Sequence, residues 1–114
     1  MEMTERMVGD VTILDVSGSV TTTDGSDRML TDKLRSLIQQ NRKKLLLNLA
    51  AVPYVDSTGL GAIVHSYATV KNQGGSLKLL NVTGRFRDLL SLTKLLTVFD
   101  TFDKEDEAVR SFQR

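Results

Sequence analysis

The sequence predicts an α/β fold with a mostly parallel central sheet. Three observations carry that expectation. Apolar runs of strand length alternate with segments of helical spacing, in the order ββαβαβαβα. The run Leu45-Leu46-Leu47-Asn48-Leu49 is apolar without alternation, as in a strand covered on both faces. Gly18, Gly25 and the pair Gly74-Gly75 fall between the periodic segments, where turns belong. A chain of 114 residues holds one core, so 1–114 reads as one domain.

Each element has its own local reason. Met3 to Met7 reads as an edge strand, Gly9-Asp10 as a turn, and Val11 to Val16 as the hairpin partner. Ser19 to Ser26 is a hydroxyl-rich loop with three threonines, two serines and Asp24. Ser26 is the expected N-cap of a helix over Asp27 to Gln40, with Leu30, Leu34, Leu37 and Ile38 on one face. Leu45 to Leu49 is the next strand, and Ala50 to Asp56 is a loop holding the only proline, Pro53. A second helix spans Ser57 to Asn72 and ends at Gly74-Gly75. Ser76 to Asn81 is an inner strand, and Gly84 to Leu92 is a helix. Leu96 to Phe102 is expected as the last strand, with Val98 and Phe99 at its centre. Asp103 is expected to cap a final helix, with Glu105, Asp106 and Glu107 in its first turn.

Composition narrows the function. Lysine plus arginine number 15 and aspartate plus glutamate 14, so no charge excess points to nucleic acid or an anionic membrane. The absence of cysteine excludes disulfides, thiolate metal sites and a cysteine nucleophile. No stretch approaches the roughly 20 apolar residues that cross a bilayer. The N-terminal residues are polar, without the apolar core of a signal peptide. The expected location is the cytoplasm. The lone histidine, His65, has no second ligand for a metal. Ser57 and His65 on one helix stand roughly 12 Å apart along its axis, beyond hydrogen-bond reach. Gly59-Leu60-Gly61 resembles the opening of a dinucleotide fingerprint, but Val64 stands where the third glycine belongs. No cofactor is expected.

The remaining signal is the junction Val52-Pro53-Tyr54-Val55-Asp56-Ser57-Thr58-Gly59-Leu60-Gly61. It lies between a strand and a helix. The first N–H groups of a helix lack partners and carry partial positive charge. Asp56 and Ser57 suit a plain helix cap. The plain cap is the first reading of such a pair, and Ser57 is also compatible with a phosphate acceptor, because a helix start accommodates a phosphate without harm to the fold.

That junction, with Gly74-Gly75-Ser76-Leu77-Lys78-Leu79 and Leu95-Leu96-Thr97-Val98-Phe99, resembles the STAS domain of anti-sigma factor antagonists. The resemblance implies a βα sandwich with helices largely on one side of the sheet and no catalysis by the domain. It implies an anti-sigma factor that is also a serine kinase as partner, Ser57 as the residue it phosphorylates, release on phosphorylation, and a serine phosphatase that resets the switch. The partner-binding residues it implies are Asp56, Ser57, Thr58, Gly59, Leu60 and Gly61, with Thr23 and Asp24 from the neighbouring loop. Thr58 is at most a minor acceptor. Ser19 follows Gly18 where many members carry an acid, and the Thr21 to Ser26 loop is longer than usual. No nucleic-acid or membrane partner is expected, and the chain is read as a monomer or weak homodimer, its first strand leaving an open edge. A scaffold or regulatory subunit of another complex, of stressosome or lipid-transport type, is the alternative.

Overall fold

A computed structural model describes residues 1–82 and 84–113. Strands β1 (Glu2–Val8) and β2 (Val11–Ser17) form an antiparallel hairpin, with Val8 opposite Val11. Its two-residue turn holds Gly9 at φ 61, a left-handed geometry that such hairpins require. β2 then pairs parallel with β3 (Lys44–Ala51), and β3 with β4 (Ser76–Leu80). The short β5 (Thr101–Phe102) adds to β4, giving the order β1-β2-β3-β4-β5.

Every parallel connection steps one strand onward in the same direction. Right-handed crossovers of that kind place the intervening helices on one face. Accordingly α1 (Ser26–Gln39), α2 (Ser57–Asn72) and α3 (Gly84–Leu92) share one core with the sheet. Leu30, Leu34 and Leu37 of α1, Ile63 and Val70 of α2, and Phe86 and Leu90 of α3 pack there against Leu14, Leu47 and Leu79. The final helix α4 (Glu105–Ser111) covers the opposite face, where Ala108 and Phe112 meet Val11, Ile13, Leu46 and Leu80.

Beside that smaller cluster the back of the sheet is polar. Arg6 donates to Asp15 at 2.6 and 3.2 Å and to Glu105 of α4. Asn48 donates to Asp15 at 2.8 Å, and Asn81 donates to Asn48 at 3.0 Å. The bonds from Arg6 hold the carboxyls of Asp15 and Glu105 below the usual range. Lys78 donates to the Ser111 hydroxyl at 2.9 Å and lies 4.6 Å from the Phe112 ring centre. One charged contact thus pins each end of α4. On the helix side, Glu5 joins β1 to Lys33 of α1 at 2.9 Å and to Arg42 at 2.7 Å.

Three local expectations are corrected. The residue preceding α1 is Gly25, at φ 75, and no side chain caps that helix. Ser26 is instead the first helical residue, and its buried hydroxyl turns back to the loop, donating to Asp24 at 2.6 Å and accepting from Thr21 N–H at 2.7 Å. Leu96 to Phe102 is not a strand: Leu95–Thr97 is a 3-10 turn, and only Thr101–Phe102 joins the sheet. The apolar residues there serve packing on α2, with the Phe99 ring edge-on to Tyr67 at 5.0 Å, while Val98 is 43% exposed. Asp103 does not cap α4. Lys104 occupies that position without a side-chain bond, and Asp103 lies 3.7 Å from Arg87.

Candidate functional site

The parallel strands end at one edge of the sheet, and two of the loops that leave it are stitched together. The loop after β2 and the loop after β3 form a parallel bridge between Val20 and Val55. Val20 N–H donates to the Tyr54 carbonyl at 3.0 Å, and Asp56 N–H donates to the Val20 carbonyl at 3.3 Å. Val52 and Val55 are buried beneath this seam, while Pro53 and Tyr54 face outward.

Gly59 explains how closely α2 can approach. A Cβ at that position would stand 2.3 Å from the Val20 carbonyl oxygen, so only glycine fits. Gly61, one turn-half further, has nothing within 4 Å of the same hypothetical atom. The two glycines of the motif therefore have different reasons. The first is demanded by internal packing; the second is not.

Asp56 serves two loops at once. One carboxylate oxygen accepts the Gly59 N–H at 2.6 Å and caps α2. The other accepts the Thr22 N–H at 3.2 Å from the loop before α1. The expected cap is thus present, together with a second bond that links the helix start to the adjoining loop. Ser57 and Thr58 follow it on the first turn, both exposed. Phosphate, or any anion at this point, would meet the unpartnered N–H groups of that turn.

The residues expected at a docking face divide in two. Ser57, Thr58, Gly61, Thr23 and Asp24 are exposed, and Asp56 is half-buried. Gly59 is buried, and Leu60, 7% exposed, lies in the main core, where it anchors α2. Their part is to hold the helix start in place. Asp24 organises its own loop. It accepts from the Ser26 hydroxyl, from Ser26 N–H at 3.0 Å and from the Thr21 hydroxyl at 3.0 Å. Those bonds, the Ser26 hydroxyl foremost, hold its carboxyl down at about 2. Between the starts of α1 and α2 lies an open groove of about 460 Å³ lined by Thr22, Gly25, Asp27, Arg28 and Thr58.

Sequence reasoning did not single out Val20 or Thr22. The hydroxyl-rich run was legible, but its backbone partner across the seam was not. His65 is exposed on α2. Among the described residues no cluster of three potential metal ligands forms, and no helix is long and apolar enough to cross a membrane.

The STAS domain family matches residues 3–108. The chain belongs to the STAS domain family. Among its relatives, the anti-sigma-B factor antagonist of Bacillus subtilis is 40% identical over 82 residues, covering 72% of this chain and 74% of that protein. This STAS domain therefore stands among the anti-sigma factor antagonists. Solved structures share its fold. An anti-sigma factor antagonist from Mycobacterium paratuberculosis matches with a TM-score of 0.85 at 18% identity, over 99% of this chain and 94% of that one. The Bacillus cell fate determinant SpoIIAA in its phosphorylated form matches with a TM-score of 0.75 at 18% identity, over 97% of this chain and 99% of that one.

Proposed function

We propose that this STAS domain binds an anti-sigma factor that is also a serine kinase, and that phosphorylation of Ser57 ends the binding. The observation that carries the reading is the exposed Ser57 hydroxyl on the first turn of α2, beside a carboxylate already committed to two backbone bonds. A kinase reaches that hydroxyl without opening the fold. The phosphate then adds roughly −1.5 to −2 of charge. The helix start tolerates it, so the folded state survives. A partner fitted to the neutral surface does not, because it would have to desolvate that charge against Asp56. Each ~1.4 kcal/mol of such a penalty weakens binding about tenfold.

Asp56, Thr58 and Gly61, with Thr23 and Asp24 across the seam, form the contact face in this reading. Gly61 gives a partner's backbone room to approach α2. A serine phosphatase returns the domain to its binding state, and the chain itself performs no chemistry. A solved protein of the same fold, SpoIIAA, exists in a phosphorylated form, in keeping with such a switch.

The test begins with the tagged chain in its own cells. The anti-sigma factor kinase that co-purifies is identified by mass spectrometry, then produced and mixed with the pure domain and ATP. Phosphate should map to Ser57. Ser57→Ala should bind without being modified, and Ser57→Glu should bind at least about tenfold more weakly. Labelling at another residue, or undiminished binding by Ser57→Glu, would refute the assignment.

A further inference from the structure

The connection from β3 to α2 shows apolar side chains where a surface loop ordinarily shows polar ones. Val52 and Val55 turn inward and are buried, leaving Pro53 and Tyr54 outside. Tyr54 is 45% exposed. The other exposed large apolar side chains among the described residues are Met7, Val8, Met29, Leu92 and Val98. None of these is aromatic, and none shares the loop that carries Asp56.

The backbone beneath Tyr54 is fixed from both sides. Its carbonyl accepts the Val20 N–H at 3.0 Å, and the ring of Pro53 restrains φ just before it. Two residues later Asp56 is tied down through both carboxylate oxygens. The side chain itself has only two torsions to order. A large, rigidly based aromatic loses little entropy on docking and offers much contact area. Such residues dominate the energetics of protein interfaces. The exposed residues of the adjoining loop and of the helix start, Thr22, Thr23, Asp24, Ser57 and Thr58, are polar. Among the described residues, Tyr54 is the exposed large apolar side chain on the loop that carries Asp56, while the exposed Met29 stands on the first turn of α1.

We propose that Tyr54 is the aromatic anchor of the docking face beside Ser57, its ring entering an apolar cleft with a polar rim on the partner protein. The proposal rests on the reading above, in which that partner is the anti-sigma factor kinase. The ring supplies the affinity that is independent of phosphorylation, and its hydroxyl meets the polar rim. Ser57 supplies the veto. The two roles separate experimentally, because removal of the ring weakens binding without adding charge.

The experiment compares the wild-type chain, Tyr54→Ala, Tyr54→Phe, Leu92→Ala and Ser57→Glu by calorimetric titration against the purified kinase. Tyr54→Ala should weaken binding at least about tenfold, whereas Tyr54→Phe should stay within about threefold. Leu92, 82% exposed on α3, should bind as wild type when replaced. Melting temperatures of all the variants should lie within about 3 °C of the wild type, as for surface substitutions. If Tyr54→Ala melts early, Tyr54→Gln, which keeps most of the volume, decides by the same tenfold criterion. Wild-type affinity in the ring-less variant, with Ser57→Glu still weakened, overturns the anchor and spares the switch. Equal binding by wild type and Ser57→Glu, or no binding by either, overturns the switch itself.

Discussion

Gly59→Ala and Gly61→Ala change the same atom on the same helix turn and should move stability in opposite directions. At Gly59 the new methyl would meet the Val20 carbonyl oxygen at 2.3 Å, its carbon at 3.0 Å and Val55 Cγ1 at 3.0 Å. Two of those atoms are backbone, so relief requires α2 to back away from the loop after β2. Overpacking of this kind costs about 1–3 kcal/mol. The retreat also stretches the bonds from Asp56 N–H to Val20 and from Thr22 N–H to Asp56, each worth about 0.5–1.5 kcal/mol. Alanine's better helix propensity returns about 1 kcal/mol. The net expectation is a loss of roughly 1–5 kcal/mol, or very roughly 4–20 °C in melting temperature for a domain of this size. At Gly61 nothing lies within 4 Å. There the propensity gain stands alone, about +1 kcal/mol and a few degrees upward. Urea and thermal unfolding followed by circular dichroism measure both. A Gly59→Ala variant as stable as wild type, or a destabilised Gly61→Ala variant, would refute the packing argument. In partner binding the order should reverse, with Gly61→Ala impaired despite its firmer fold.

Asp56→Ala should cost about 1–2 kcal/mol, as loss of a helix cap does, and should speed amide exchange at Thr22 as well as at Gly59; unchanged exchange at Thr22 would disprove the link between loops. The Asp24 carboxyl is held at about 2 against an ordinary 3.8, so its loop bonds are intact above the ordinary value and are lost as pH falls through the lower one. Amide shifts of Thr21 and Ser26 should therefore move near pH 2, and Asp24→Asn should abolish that transition. Arg6→Ala removes a tether between β1, β2 and α4 that is partly exposed, so global stability should fall by no more than about 1 kcal/mol. Exchange at Ala108 and Phe112 should nevertheless accelerate, and protection equal to wild type there would show that Lys78 and the apolar contacts suffice.

Element order and most boundaries were legible because each rests on a short-range cause. The leucines of the Leu45–Leu49 run divide between the two apolar clusters, as in a strand covered on both faces, and Asn48 joins the polar network with Asp15 and Asn81. Gly74, at φ 82, ends α2 in the left-handed turn that glycine permits. The errors share a different origin. Local preference alone points to caps at Ser26 and Asp103 and to a strand over Leu96–Phe102, and in each case a partner distant in sequence or one in a competing loop takes the group. The Ser26 hydroxyl was drawn to Asp24, and Phe99 was drawn to Tyr67. At the site, Ser57 and its helix start were readable from residue types. The second bond of Asp56 was not, since nothing in the spacing of Thr22 and Asp56 brings them together.

The stepwise sheet has an evolutionary corollary. Because β2, β3, β4 and β5 succeed one another in space as they do along the chain, each apex at the sheet's carboxyl margin belongs to a separate strand–helix unit. An insertion in one apex leaves the pairing of the remaining strands untouched. The hydroxyl-rich apex before α1 can thus vary while Ser57 at the start of α2 stays where it is, provided the short stretch around Val20 keeps its shape.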